Sequence, residues 1–391
     1  MQRRSFLKGA GIVTILVAGG AVWRAEDQGV FNVGQGPAYA PWKDWQKDAS
    51  AGPLRQVRSA ILAASPHNTQ PWLFRVSSSG IELYADTTRN TGALDPYRRE
   101  QHIALGCALE NLMLAADANG YNASATLLSG TLDGNSGHKV QLVARVELAP
   151  GMRQNNELYN AIPNRHTNRN PYDPKRLVPS EFMELLSQLS DSESDVKIFL
   201  IAAEADRKRM AEVISAANNV LYADPEVKRG SKRWIRIRWS SVQKYRDGLT
   251  IDAAGLAPMT TAVAKFVPLS VLRWMVSEKE DPYLKLLQTP TMFGIIAVRD
   301  RYDQQESLRA GRVWQRAHLL ATSHELAARP ANEAVEMVDH ERKLGQEPRH
   351  EKLLAGLTGD ATWQPTFTFY MGYPIRPAAA SPRRSVQDVV L

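Results

Sequence analysis

The residues best suited to chemistry fall in three short strings. The first is Ser65-Pro66-His67-Asn68-Thr69-Gln70-Pro71-Trp72. It sets hydrogen-bond donors and acceptors between two prolines that stiffen the backbone, with no strong nucleophile–base arrangement. Such a loop suits a planar, heteroatom-rich ligand; the alternative is a turn whose polar groups satisfy its own backbone. The second is Asn164-Arg165-His166-Thr167-Asn168-Arg169-Asn170-Pro171-Tyr172. Arginines four apart with a hydroxyl between them suit a phosphate, because a guanidinium presents paired N–H groups in one plane. Taken alone, a solvated charged loop is the simpler reading. The third is Ser381-Pro382-Arg383-Arg384, a basic pair near the end of the sequence that carries little by itself.

Other chemistries are excluded by residue type. Cys107 is the only cysteine, so an intrachain disulfide and a CxxC site are both ruled out. It sits in the apolar stretch 104–116 and reads as a small core residue. No set of His, Asp and Glu has metal-ligand spacing, and His318 and His324 read as structural or surface groups on a long helix.

The elements that must position the three strings can be read from periodicity and turn residues. Helices are predicted over 53–64, 98–119, 180–189, 205–221 and 304–328, and strands over 72–76, 81–85, 140–148, 196–202, 292–298 and 365–371. The first polar string therefore joins a helix to a strand. The two long helices match at an offset of 205 residues, Gly106, Leu114 and Ala116 against Gly311, Leu319 and Ala321. With the shared order helix–strand–long helix–strand, this suggests an internal duplication.

A chain of 391 residues, 43% apolar and 23% charged, is globular in composition and long enough for two units. Its net charge of +7 is mild and reads as a basic surface rather than a nucleic-acid footprint. Residues 224–291 interleave basic residues with Trp234, Ile235, Ile237 and Trp239. A packed insertion with a solvated basic face, serving as a lid, is the favoured reading; contact with an anionic membrane surface is the alternative. Residues 31–52 read as a linker. The start, Arg3-Arg4-Ser5-Phe6-Leu7-Lys8 followed by an apolar stretch to Trp23, resembles a twin-arginine export signal. An uncleaved amino-terminal anchor is its alternative, since Pro41 follows the Ala38-Tyr39-Ala40 pattern directly.

Together the strings closely resemble segments of the nitroreductase superfamily. The first resembles the proline-flanked Asn-x-Gln-Pro-Trp segment used against flavin. The second resembles the Arg-x-Ser/Thr-x-Arg/Lys opening that holds the FMN phosphate and ribityl chain, and the third the closing basic segment. The resemblance spans about residues 53–391 and is nearest to the tandem, Acg-like branch. It implies an α+β fold of two fused halves, 53–154 and 155–391, forming a pseudo-dimer with mainly antiparallel sheets and long central helices. In homodimeric members the basic segments come from one subunit and the polar loop from the other. Here one chain carries both, which implies one FMN held by Ser65, Pro66, His67, Asn68, Gln70, Arg165, His166, Thr167, Arg169, Arg383 and Arg384. The first half lacks the arginine pattern and the second half lacks the polar loop, so a second site is not expected.

The resemblance and the amino-terminal signal together imply an exported FMN-dependent oxidoreductase reducing a nitro, quinone or similar small-molecule acceptor. A flavin-sequestering or flavin-carrying protein is the alternative. Flavin reduction needs no side-chain nucleophile, so no catalytic residue and no metal are named. The twin-arginine translocase would be a partner during export and nucleic acid would not. NAD(P)H is not expected as donor outside the cytoplasm.

Overall fold

A computed structural model describes residues 23, 26–45, 52–134, 137–266 and 281–391. Most of the export-signal or anchor expectation, 1–30 (residues 1–22, 24 and 25), and part of the proposed insertion, 267–280, lie outside the described residues.

Strands β1 (Trp72–Val76), β2 (Gly80–Asp86), β3 (Tyr121–Leu127) and β4 (Val140–Pro150) form an antiparallel sheet in the order β1-β2-β4-β3. Buried and partly exposed residues alternate strictly along β2, as expected of a strand with one face on a core. Strands β5 (Val196–Ile201), β8 (Met292–Val298), β9 (Ala327–Pro330) and β10 (Gln364–Gly372) form a second antiparallel sheet in the order β5-β8-β10-β9. In each sheet the chain visits first strand, second, fourth and third in spatial order. The unbroken apolar run Met292–Val298 is buried at every position because β8 is central and covered on both faces. A short parallel pair, β6 (Ile235–Arg236) and β7 (Leu249–Thr250), stands apart.

Between the second and third strand of each sheet runs a long helix, α1 (Arg99–Ala118) and α2 (Gln304–Ser323). These two helices cross at glycine. A Cβ on Gly106 would lie 2.0 Å from the Leu308 carbonyl oxygen, and one on Gly311 would lie 2.0 Å from that of Ile103. Only hydrogen in place of a side chain lets the backbones approach this closely. One core runs through both sheets and both helices, from Trp72 and Phe74 through Leu105 and Trp314 to Ile296 and Phe369.

Three features differ from expectation. Residues 37–45 are packed rather than a free linker: a 3-10 turn (Pro37–Tyr39) and a short helix (Ala40–Asp44) bury Tyr39, Trp42 and Trp45. Apolar burial there outweighs the loop-like glycines and prolines around it. The second long helix ends at Ser323, not 328, because Glu325 turns left-handed (φ 59°) and Ala327–Pro330 pairs with β10. The first helix, Leu54–Ala60, is likewise shorter than 53–64.

The sequence from 381 onward runs back onto β1. Phe74 donates its N–H to the Val389 carbonyl (2.8 Å) and accepts from the Leu391 N–H (2.8 Å), so the tail covers the edge of β1. No described helix is long and apolar enough to cross a membrane.

Candidate functional site

The polar loop 65–70 is held in a conformation its residues do not prefer. His67, Asn68 and Gln70 all have positive φ (48°, 55° and 51°), a region that costs non-glycine residues about 1–2 kcal/mol each. Hydrogen bonds from distant segments hold it there. The Asn68 amide donates to the carbonyls of Gly248 (3.2 Å) and Pro382 (2.9 Å) and accepts from Arg383 (2.6 Å). The Gln70 amide donates to the Arg246 carbonyl (2.8 Å) and accepts from the Arg384 backbone N–H (2.8 Å). Ser65 Oγ accepts the Gln70 N–H at 3.1 Å. Asn68, Gln70 and Arg384 are thus ties that clamp the loop between the 246–248 turn and the tail.

Behind this loop two arginines are buried side by side. Arg165 is 1% exposed and Arg383 3%. Arg165 donates to the Leu62 carbonyl (3.1 Å) and to His318 Nδ1 (3.2 Å), and Arg383 donates to the Ala63 carbonyl (3.1 Å). Neither has a carboxylate partner among the described residues. Burial lowers the Arg165 pKa to about 10, and burial with repulsion from Arg165 holds Arg383 well below its ordinary value. The Nε atoms of both, Nδ1 of His166 and Nε2 of His318 are buried without a hydrogen-bond partner. Burial, with the two guanidiniums adding, drops His166 to about 3, so its imidazole is neutral. The indole of Trp42 lies over both guanidiniums, 4.6 Å from Arg383 and 5.9 Å from Arg165, and edge-on to His166.

Buried, unneutralised positive charge is costly, and orphaned donors add to the cost. The arrangement is one that an anion would complete. The indole occupies a guanidinium face, whereas an anion takes the N–H groups along its edge.

In front of the loop is a cavity of about 200 Å³. Ser65, Pro66 and His67 form one wall, with Thr167 and Arg169 beside them. Ile103, Ala104, Cys107, Trp314 and Phe367 supply apolar surface from the two long helices and β10, and Glu100, Glu333 and Glu336 a polar end. Burial, with Arg169 nearby, lowers His67 to about 4. A second cavity of about 350 Å³ shares Thr167 and Arg169 and is otherwise lined mainly by residues 252–265 and 376–379. Arg169 donates to the Ala253 carbonyl (3.3 Å), and Gly255 packs on the Arg169 carbonyl where a Cβ would lie 2.0 Å away.

The structure thus brings Ser65, Pro66, His67, Thr167 and Arg169 onto one cavity, and Arg165, His166 and Arg383 into one cluster behind it. Asn68, Gln70 and Arg384 join the two. Sequence reasoning missed Trp42, hidden in a stretch with linker composition, and His318, whose role depends on Arg165, 153 positions away. It also passed over Glu100 and Glu336, which look like ordinary helix-surface glutamates.

No family model matches the chain. Over 64 residues it is 36% identical to a protein of Mycobacterium tuberculosis H37Rv with the provisional name NAD(P)H nitroreductase Rv3131, and equally to its counterpart in strain CDC 1551. That stretch is 16% of this chain, and the chain spans about a fifth (19%) of the length of the relatives it matches. Among solved structures, a nitroreductase with bound FMN from Bacteroides fragilis covers 59% of this chain and 95% of its own at 12% identity, with a TM-score of 0.36. The FMN-dependent nitroreductase NfnB of Mycobacterium smegmatis, solved with NADPH, covers 59% and 96% at 15% identity and a TM-score of 0.34. These superpositions are too loose to carry a function from those proteins to this one.

Proposed function

We propose that the chain is an FMN-dependent oxidoreductase of the nitroreductase type, that its two fused halves hold one flavin between them, and that it acts outside the cytoplasm after twin-arginine export. The observation that carries this reading is the Arg165–Arg383 pair, buried with no carboxylate partner among the described residues and with unpartnered Nε–H groups. A phosphate dianion supplies the missing charge. The resemblance of the motifs around the pair to those of nitroreductases supports reading that phosphate as the one of FMN.

Arg165, Arg383 and His166 would hold the phosphate, and Thr167 and Arg169 the polar chain that links it to the ring. Ser65, Pro66 and His67 would face the ring, with Ile103, Ala104, Cys107, Trp314 and Phe367 excluding water from it. Bound flavin would supply the two-electron chemistry that no side chain here provides. A nitroarene or a quinone is the acceptor class, and the donor outside the cytoplasm is a membrane quinol or a protein. A second reading, a flavin-sequestering protein, is favoured by the tie between the 246–248 turn and loop 65–70, which clamps the inserted segment over the cavity.

Flavin titration tests the proposal. The wild-type chain is expected to bind one FMN. Two charge-assisted contacts at about 1.5–3 kcal/mol each correspond to roughly 10²–10⁴-fold in affinity. The double variant Arg165→Gln/Arg383→Gln should therefore lose about that much for FMN and far less for riboflavin, which lacks the phosphate. Equal losses for both ligands, or two FMN per chain, would show the phosphate site to be elsewhere. Anaerobic reoxidation of the photoreduced protein by a quinone separates turnover from storage.

A further inference from the structure

At the polar end of the 200 Å³ cavity, Glu100 and Glu336 come from the first turns of two different helices, α1 and α3 (Glu333–Lys343). They are 5% and 7% exposed and line the same cavity. Two ionised carboxylates buried together repel, so a proton on one of them stabilises the pair. Glu100 Oε1 has no hydrogen-bond partner, and the residue lines the cavity.

The nearest cation serves two carboxylates: Arg99 is bound to Asp339 (2.9 Å through both Nε and Nη2), and its Nη2 makes a longer ion pair with Glu100 Oε1 at 3.8 Å. Arg329 faces Glu333 and the Tyr283 and Tyr370 phenols, and Glu333 accepts from the Tyr283 hydroxyl at 2.6 Å. The remaining groups facing the pair are Asp95, Asp339, Asn332 and Tyr222. A helix N-terminus favours an ionised carboxylate, but burial and mutual repulsion outweigh it here. Burial first, opposed by Arg99 and aided by Asp95 and Asp339, pushes Glu100 up to about 8; burial, then Glu100 and Glu333, raises Glu336 well above its ordinary value.

We propose that Glu100 and Glu336 share one proton in the cavity wall and that this carboxyl pair is the acid that protonates the reduced acceptor. The proposal rests on the flavin reading of the same cavity. With a quinone as acceptor, bound flavin in its anionic reduced form would supply two electrons and one proton as hydride and so return to the neutral oxidised form. The second proton comes from the pair: a glutamic O–H bond breaks, an O–H bond forms on the quinone oxygen, and hydroquinone leaves. The carboxylate left behind regains its proton from water.

Glu100→Gln and Glu336→Gln test this with two readouts. The first is stability against pH in the flavin-free chain. A carboxyl whose pKa is raised from about 4.5 to about 8 contributes stability that is complete below 4.5 and lost as pH rises through 8. The wild type should therefore lose thermal stability relative to Glu100→Gln across that window; a constant difference would mean that no proton is held and would overturn the proposal. The second is anaerobic reoxidation of the photoreduced protein by a benzoquinone. The wild-type rate should fall as pH rises through about 8, and Glu100→Gln should be about 10²-fold slower and flat there. FMN affinity measured beside it separates the two claims. Normal FMN binding with unchanged rates removes the acid role alone, whereas failure of the wild type to bind FMN removes the flavin reading and the acid role with it.

Discussion

His67 combines a left-handed backbone with a buried imidazole on the cavity wall. Its pKa is lowered from 6.5 to about 4, so an unfolded chain takes up the proton first as pH falls. The stability this ring contributes is complete above pH 6.5 and is lost on the way down through pH 4. The full span is on the order of 3 kcal/mol. Urea denaturation of wild type and His67→Gln between pH 6.5 and 4 should show the wild type losing ground by an amount of that order. A gap that stays constant would mean that the ring meets solvent. At this scale the polar residues could be read as local patterns, a proline-flanked polar loop and spaced arginines. What each residue touches was not legible. Asn68 meets Pro382 and Arg383 more than 300 positions away, and nothing near Asn68 in the sequence marks it as a clamp.

The crossing of the two long helices is set by Gly106 and Gly311, one of the three matched pairs at an offset of 205. Gly311→Ala would drive a methyl carbon into the Ile103 carbonyl, and overpacking of this kind costs roughly 1–3 kcal/mol. Gly356→Ala is the control: it lies in helix Arg349–Thr358, where the nearest atom to an added Cβ is 4.0 Å away. There the better helix propensity of alanine should stabilise by up to about 1 kcal/mol. Chemical denaturation of both variants tests the contrast, and equal behaviour would mean that the crossing is loose. Strongly patterned elements such as Met292–Val298 were legible to the residue. Others were not: β3, with the sequence Tyr-Asn-Ala-Ser-Ala-Thr-Leu, has little apolar content and is a strand because β4 pairs with it. Residues 327–330 continue a helix-like composition and were pulled into a sheet by β10, some forty positions downstream.

Across the whole molecule, the offset helices suggested a duplication, and the two sheets share one strand order. The export part of the proposal rests on the segment from Arg3 to Trp23, with the arginine pair at its head. Replacing both with lysine should move the protein from the periplasmic to the cytoplasmic fraction without altering its flavin content; undiminished periplasmic protein would remove the export reading. The pairing of Phe74 with residues 389–391 bears on the order of events during synthesis. The polar loop leaves the ribosome early, yet the tail that covers its sheet edge and clamps Asn68 follows more than 300 residues later. A nascent chain can form the first hairpin but cannot yet clamp the polar loop. The strained backbone of that loop is therefore secured only once translation has passed the tail.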